Sequence, residues 1–231
     1  MWVIGHREAA GTWPENTLLS IRQAMHSGVD WVEIDVRLIN DTIIVLHDDT
    51  LERTTNGYGS VYDYSVADLR MLDAGNGELI PFLVEILDEV DAAIGITIEV
   101  QQHGLEPQLL ATVSHYFAQQ PRWHNRLMVS SFLPEVMRSL SGSGPAGCLL
   151  GAFCETDAEG SIEIAVQRKM DAVNISFEQL SSALVEHAHD QGLKMLVYTV
   201  NELDDVRRCV GFFVDGIFTS YPEQAIAFLN N

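Results

Sequence analysis

Positively charged residues are scarce in this sequence. The chain has 13 lysines and arginines against 33 aspartates and glutamates, which gives a formal net charge of −20 over 231 residues. A field of that sign repels nucleic-acid phosphates and anionic lipid headgroups. We therefore expect neither a nucleic acid nor a stably bound membrane as a partner. The same field attracts divalent cations, and a phosphate-bearing substrate would need a local positive charge or a metal ion.

Cysteines and long apolar runs are also few. Cys148, Cys154 and Cys209 show no Cys-X-X-Cys or Cys/His metal spacing, which favours free thiols in a reducing compartment. No apolar run approaches the roughly 20 residues of a transmembrane helix. The first residues lack the basic and apolar regions of a secretory signal. The sequence therefore predicts a cytoplasmic protein, and it leaves the oligomeric state open.

No linker, low-complexity tract or repeat divides the chain, so we expect a single domain over residues 1–231. Short apolar, β-branched runs predict strands at 2–5, 31–37, 95–100, 127–131, 148–153, 172–175, 194–200 and 216–219. Helical patterns between them cover 16–27, 81–90, 106–119, 161–169, 177–191 and 201–210. Eight strands alternating with helices predict an α/β fold, a (β/α)8 TIM barrel. No glycine-rich phosphate motif begins a helix, which argues against a nucleotide-binding open sheet.

One segment interrupts the alternation of strands and helices. The strand 31–37 runs on to an Asn-Asp turn at 40–41 and returns as a second apolar run at 43–46. Asn and Asp both tolerate positive φ, which favours a two-residue hairpin. Such a hairpin excursion brings His47 back beside Asp35. Alternatively the returning run is itself a barrel strand, and one of the eight predicted strands is then miscounted.

Three acidic residues lie in predicted strands, near the strand ends that build the site of a barrel enzyme. Glu33 and Asp35 are two residues apart and point to the same side of their strand, and Glu99 lies near the end of the next barrel strand. Carboxylates this close repel each other unless a cation lies between them. Their oxygen ligands suit Mg²⁺, Ca²⁺ or Mn²⁺ rather than zinc. We therefore predict a divalent metal site.

Two histidines and an arginine flank these acids. His6 follows the first strand and His47 follows the hairpin. Imidazoles have unperturbed pKa values of about 6.5, which suits them to accept and donate protons near neutral pH. The pair is therefore the predicted general base and general acid. Arg7 offers a fork of donors for two phosphate oxygens, and its alternative role is an ion pair with an acid such as Glu15.

The ordered motifs of the chain resemble those of the glycerophosphodiester phosphodiesterase family. The resemblance covers essentially the whole chain, and the ordered set is far more specific than any one fragment. The motifs are Gly5-His6-Arg7, Pro14-Glu15-Asn16-Thr17, Glu33-Ile34-Asp35-Val36, His47-Asp48, Leu51-Glu52-Arg53-Thr54-Thr55-Asn56-Gly57, Ile80-Pro81, Glu85, Ile98-Glu99, Ser131-Phe132, Tyr198-Thr199-Val200-Asn201 and Val214-Asp215-Gly216-Ile217.

The resemblance implies a TIM-barrel enzyme that hydrolyses small glycerophosphodiesters to glycerol 3-phosphate and an alcohol. In the reaction it implies, the neighbouring glycerol hydroxyl attacks phosphorus and water then opens the cyclic phosphate. His6 and His47 would be the acid–base pair, Arg7 would bind the phosphate, and the metal would be held by Glu33, Asp35 and Glu99.

Four positions depart from the family pattern. Gln101 stands where the family has a lysine that reaches the phosphate, so we expect the Gln101 amide to bind the phosphate instead. Glu8 replaces a glycine, residues 73–79 form a shortened cap insertion, and Tyr198 stands where a tryptophan is common. Gln101 and Glu8 motivate one alternative, a barrel with impaired turnover that binds a metal and a phosphorylated ligand. The shortened cap motivates another, a lysophospholipase D-type relative.

Overall fold

The computed structural model describes residues 1–90 and 93–230. In these ranges the strands are β1 Trp2–Gly5, β2 Trp31–Ile39, β3 Thr42–Val45, β4 Gly95–Val100, β5 Leu127–Ser131, β6 Cys148–Cys154, β7 Ala172–Ser176, β8 Lys194–Tyr198 and β9 Gly216–Thr219. All except β3 are parallel, and they close into a ring because β1 pairs with both β2 and β9. β3 lies outside this ring as an antiparallel partner of β2. The predicted (β/α)8 barrel is confirmed.

Helices follow most of the barrel strands. In the described ranges they are α1 Leu18–Ser27, α2 Val66–Leu69, α3 Leu83–Glu89, α4 Glu106–Gln119, α5 Pro134–Leu140, α6 Ala158–Gln167, α7 Ser182–Asp190, α8 Leu203–Gly211 and α9 Pro222–Leu229. None of the helices in this part of the chain has both the length and the apolar character that a membrane crossing requires.

Several helices differ from their predicted bounds by two or more residues at one or both ends, and local capping accounts for two of these differences. α1 begins two residues late because Asn16 has a φ of 58°, outside the helical region, and the Thr17 side chain caps the helix by accepting from the Ser20 amide. The predicted helix 177–191 is divided. Its first three residues form a 3-10 turn, and the side chain of Ser181 caps α7.

The hairpin after β2 has the predicted form. The turn residues Asn40 and Asp41 have φ angles of 46° and 62°, as a two-residue hairpin turn needs. Beyond the paired strands, the Leu46 amide donates to the carbonyl of Asp35 at 3.0 Å. The returning run, β3, therefore lies beside the barrel. The alternative that it is itself a barrel strand is wrong. The chain then leads directly into His47 at the carboxyl-terminal side of the barrel.

Residues 46–82, which we call the excursion, carry a hydrophobic cluster of their own. This cluster packs the excursion against the hairpin and consists of Ile39, Ile44, Leu46, Leu51, Val61, Leu69, Ala74 and Ile80. Complete burial of a side chain such as Leu51 contributes roughly 1.5–3 kcal/mol to stability. The excursion is thus anchored beside the barrel, and it holds the residues that follow His47 in place.

Candidate active site

Four of the predicted site residues, His6, Arg7, His47 and Glu99, line one cavity at the carboxyl-terminal end of the barrel. The cavity has a volume of about 250 Å³ and is lined by His6, Arg7, His47, Glu99, Phe132, Phe153, Tyr198, Thr199 and Phe218. One wall therefore carries charge and acid–base groups, and the other is largely aromatic. This places both histidines and Arg7 around a space large enough for a small ligand.

Three buried carboxyl groups lie beside the charged wall. Asp35 on β2 is directly paired with Glu99 on β4, and Glu33 lies two residues before Asp35 on the same side of β2. One oxygen from each of the three lies within 4.8 Å of the others. Burial, reinforced by the neighbouring acids, raises the pKa of Glu33 well above its usual range and that of Glu99 to about 8. Without a cation the cluster therefore resists full ionisation.

The donor set fits a divalent cation. It consists of oxygen atoms only, which suits Mg²⁺, Ca²⁺ and Mn²⁺. Oε1 of Glu33 is buried and has no hydrogen-bond partner among the described residues. An unpartnered buried carboxyl oxygen is costly, and a metal ion would satisfy it. The three acids could therefore hold a metal ion at the edge of the cavity.

Backbone and side-chain donors orient the carboxyl groups. The Arg7 amide donates to Oε2 of Glu33 at 2.8 Å. Asn16 binds Asp35 twice, because its Nδ2 donates to Oδ2 at 2.9 Å and its Oδ1 accepts from the Asp35 amide at 3.1 Å. Sequence reasoning missed this role of Asn16. The signal available was its place in the Pro-Glu-Asn-Thr motif and the ability of Asn to adopt positive φ.

Among the described residues, Glu8 is not one of those that line the cavity. It is completely buried, and its Oε2 accepts from the Asn16 amide at 2.8 Å. Burial raises the pKa of Glu8 well above its usual range. Glu8 therefore supports the segment that carries Asn16.

Gln101 lies among the carboxyl groups. Its Nε2 donates to Oδ1 of Asp35 and to Oε1 of Glu99, both at 2.6 Å. The side chain is therefore held beside the candidate metal ligands. Among the described residues, Gln101 is not one of those that line the cavity.

His6 is held in its neutral form. Its Nδ1 lies 3.2 Å from Oγ of Ser220, and its amide donates to the Thr219 carbonyl at the end of β9. Burial and the adjacent Arg7 lower the pKa of His6 to about 4. At neutral pH the ring can accept a proton.

His47 is fixed from two sides. Its Nδ1 lies 2.6 Å from Oδ1 of Asp48. Its carbonyl accepts from Nε of Arg37 at 2.9 Å and from Nη2 of the same residue, while Nη1 of Arg37 donates to the Tyr62 hydroxyl at 3.0 Å. Arg37 is nearly buried, and sequence reasoning missed it because its partners come from the excursion. Its bonds anchor the backbone at His47.

Arg7 makes the ion pair that the sequence left open and also lines the cavity. Its Nη1 lies 2.8 Å from Oε1 of Glu15, and its Nε lies 3.3 Å from Oδ2 of Asp35. The ion pair with Glu15 therefore exists, and the side chain also lines the cavity. Glu15 holds the guanidinium in place where an anionic ligand could reach it.

The aromatic wall is a packed unit. The Phe132 ring stacks on Phe153 with centroids 4.8 Å apart, and Tyr198 meets both rings edge-on at 5.6 and 5.3 Å. The Tyr198 hydroxyl donates to the Cys154 carbonyl at 2.8 Å. The polar end of Tyr198 is thus bound, and its ring presents an apolar face on which carbon atoms of a ligand can pack.

The chain is similar to phosphodiesterases over almost its whole length. The profile of the glycerophosphoryl diester phosphodiesterase family matches residues 6–224. A glycerophosphodiester phosphodiesterase of Caldanaerobacter subterraneus subsp. tengcongensis is 30% identical over 97% of this chain and 96% of its own length. One of Bacillus subtilis is 29% identical over 95% of this chain and 83% of its own. An Oleispira antarctica phosphodiesterase in complex with the product sn-glycerol-3-phosphate superposes with a TM-score of 0.90 at 28% identity, covering 100% of this chain and 97% of that chain.

Proposed function

The chain belongs to the glycerophosphoryl diester phosphodiesterase family and is a glycerophosphodiester phosphodiesterase, and we propose that it uses a divalent metal ion and two histidines for the hydrolysis. The products are glycerol 3-phosphate and an alcohol. The observation that carries this proposal is the meeting of three buried carboxyl groups, two imidazoles and one guanidinium around a single cavity. The proposal treats residues 1–231 as one domain, because the barrel is closed by strands from both ends of the chain.

The metal ligands in this proposal are Glu33, Asp35 and Glu99. They offer hard oxygen donors in a buried cluster, and the ion is Mg²⁺, Ca²⁺ or Mn²⁺. When bound there, the ion supplies positive charge beside the phosphoryl oxygens. Asn16 and the Arg7 amide keep two of the ligands oriented, which lowers the cost of arranging them.

The histidines act as a pair in this proposal. His6, which is neutral, takes the proton from the glycerol hydroxyl as that oxygen bonds to phosphorus. His47 gives a proton to the alcohol oxygen as its bond to phosphorus breaks, and the Asp48 carboxylate orients the ring. Water then opens the cyclic phosphate with the two roles exchanged. The first step thus protonates His6 and deprotonates His47, and the second step reverses both transfers, so the pair returns to its starting state after the two steps.

Arg7 and Gln101 bind the phosphate in this proposal. Arg7 lines the cavity and supplies permanent positive charge. The Gln101 amide is bound to Asp35 and Glu99, and coordination of a metal by these oxygens would free the amide to donate to a phosphate oxygen. A neutral amide stabilises the developing charge less than a lysine would.

Release of glycerol 3-phosphate tests this proposal directly. The protein is incubated with glycerophosphocholine or glycerophosphoethanolamine in Mg²⁺, Ca²⁺ or Mn²⁺, and the products are identified by mass spectrometry. Equimolar glycerol 3-phosphate and alcohol is the expected result. Binding of glycerol 3-phosphate without turnover would instead identify a binding barrel, and turnover of lysophosphatidylcholine alone would identify the lysophospholipase D-type activity.

A further inference from the structure

Arg53 lies in the excursion and binds two carboxylates at once. Its Nε and Nη2 lie 2.5 and 2.9 Å from the oxygens of Asp48, and its Nη1 and Nη2 lie 2.7 and 2.8 Å from those of Glu15. The planar guanidinium thus makes two bidentate contacts, the strongest geometry for an arginine and a carboxylate. These contacts join the excursion to the loop after β1.

Each of these carboxylates also holds a residue of the proposed catalytic machinery. Asp48 binds Nδ1 of His47 at 2.6 Å, and Glu15 binds Nη1 of Arg7 at 2.8 Å. A continuous row of polar contacts therefore runs from His47 through Asp48, Arg53 and Glu15 to Arg7, with Arg53 at its centre. Arg53 itself is not among the cavity-lining residues of the described chain, so it acts on the reaction through its two partners.

The charge of Arg53 keeps both partners ionised. Its hydrogen bonds hold the pKa of Asp48 well below the usual range. Burial opposes the charged form of Glu15, but the bonds from Arg53 and the charge of Arg7 outweigh it and lower the pKa of that carboxyl. With Arg53 removed, the two carboxylates would lose their shared partner and repel each other. The contacts between the two loops would then loosen.

We propose that Arg53 is a positioning residue that holds His47 and Arg7 in a fixed relation across the cavity by clamping Asp48 and Glu15. This inference rests on the proposed function, which assigns proton transfer to His47 and phosphate binding to Arg7. An exposed ion pair in general contributes little to stability. The effect of Arg53 is therefore on geometry, since displacement of a reacting group by about 1 Å can slow a reaction about 100-fold.

Arg53→Gln and Arg53→Lys test the proposal, with Arg22→Gln as the matched control. Arg22 is similarly exposed and makes a bidentate pair with Glu89, and neither residue is among those that line the cavity in the described chain. We expect Arg53→Gln to lower kcat/KM about 10- to 100-fold, with kcat lowered through His47 and KM raised through Arg7. The kcat/KM of Arg53→Lys should lie between those of Arg53→Gln and the wild type, because an ammonium group keeps the charge but cannot make both bidentate contacts. Arg22→Gln should match the wild type.

Two further measurements separate positioning from a loss of folding. Guanidinium added to folded Arg53→Gln should recover part of kcat, because it can occupy the vacated site. Calorimetry should show weaker binding of sn-glycerol 3-phosphate by Arg53→Gln than by the wild type. If Arg53→Gln does not fold, the comparison of Arg53→Lys with the wild type decides the question.

Wild-type kcat and KM in Arg53→Gln would overturn the proposal, and so would wild-type kcat and KM in Arg53→Lys. A loss of kcat in Arg53→Gln that guanidinium does not restore would also overturn it. Failure of the proposed function is distinguishable from these outcomes. If the proposed function fails, the wild-type protein releases no glycerol 3-phosphate. Comparison of sn-glycerol 3-phosphate binding by the wild type and by Arg53→Gln would then still decide whether Arg53 positions Arg7.

Discussion

Nε2 of Gln101, the residue that directly follows β4, donates a 2.6 Å hydrogen bond to Oδ1 of Asp35 on the neighbouring strand β2. The same nitrogen donates to Glu99, so one amide bridges two candidate metal ligands. A lysine at this position would add a full positive charge to the cluster. The amide orients the carboxyl groups and leaves their negative charge available to a cation.

Gln101→Lys should change metal binding and turnover in opposite directions. The new ammonium group would compete with the metal for Asp35 and Glu99, and we expect metal affinity to fall about 10-fold. At saturating metal the added charge should stabilise the phosphoryl transition state and raise kcat. Metal titrations of steady-state rates measure both effects, with Gln102→Lys as a neighbouring control. Unchanged metal affinity in Gln101→Lys would contradict the account of this side chain.

His6→Ala and His47→Ala should each remove an acid–base group without removing a metal ligand. We expect kcat to fall about 10²- to 10⁴-fold in each variant. Metal affinity, measured by calorimetry, should stay near that of the wild type. His26→Ala, on α1, serves as the control and should leave kcat unchanged. Full activity in either catalytic variant would exclude that histidine from the mechanism.

The low pKa of His6 predicts its behaviour on acidification. The pKa of about 4 in the folded protein lies below the value of about 6.5 for an unfolded chain. Between these pH values the unfolded chain binds a proton at His6 that the folded chain does not, so the contribution of His6 to stability falls as the pH drops from about 6.5 to about 4. NMR titration of the ring protons should show no transition of His6 above pH 5. A midpoint near 6.5 would contradict the burial argument.

Asn16→Ala should weaken metal binding although Asn16 is not itself a proposed ligand. The change removes both hydrogen bonds to Asp35, and loss of such supporting contacts lowers metal affinity about 10- to 100-fold. Calorimetric titration with Mn²⁺ measures the change. Asn56→Ala is the control, because the Asn56 side chain accepts from the Asp73 amide within the excursion. Equal affinities of Asn16→Ala and the wild type would show that Asp35 needs no such support.

The barrel and the gathering of the candidate site residues at its rim could be predicted because both depend on local patterns. Alternation of apolar strands with helices indicated the barrel. The Asn-Asp turn indicated the hairpin that leads the chain back to His47. The sequence analysis does not predict the short helices α2, α5 and α9, although α5 and α9 each begin with a proline, a residue common at the first position of a helix.

The contacts that orient the site could not be predicted in the same way. Asn16, Arg37 and Arg53 act through partners in other segments, and no periodicity in the sequence links a residue to a distant partner. The raised pKa of Glu8 also depends on complete burial, which becomes visible only when the loop after β1 is packed.

Metal dependence tests the central claim most directly. Protein treated with EDTA and dialysed is mixed with glycerophosphocholine, and ³¹P NMR follows the diester and monoester signals before and after addition of Mg²⁺, Ca²⁺ or Mn²⁺. We expect no hydrolysis by the metal-free protein, recovery with at least one of the ions, and no recovery in Asp35→Asn. Turnover at the same rate in EDTA would contradict the assignment of Glu33, Asp35 and Glu99 as ligands of a catalytic metal.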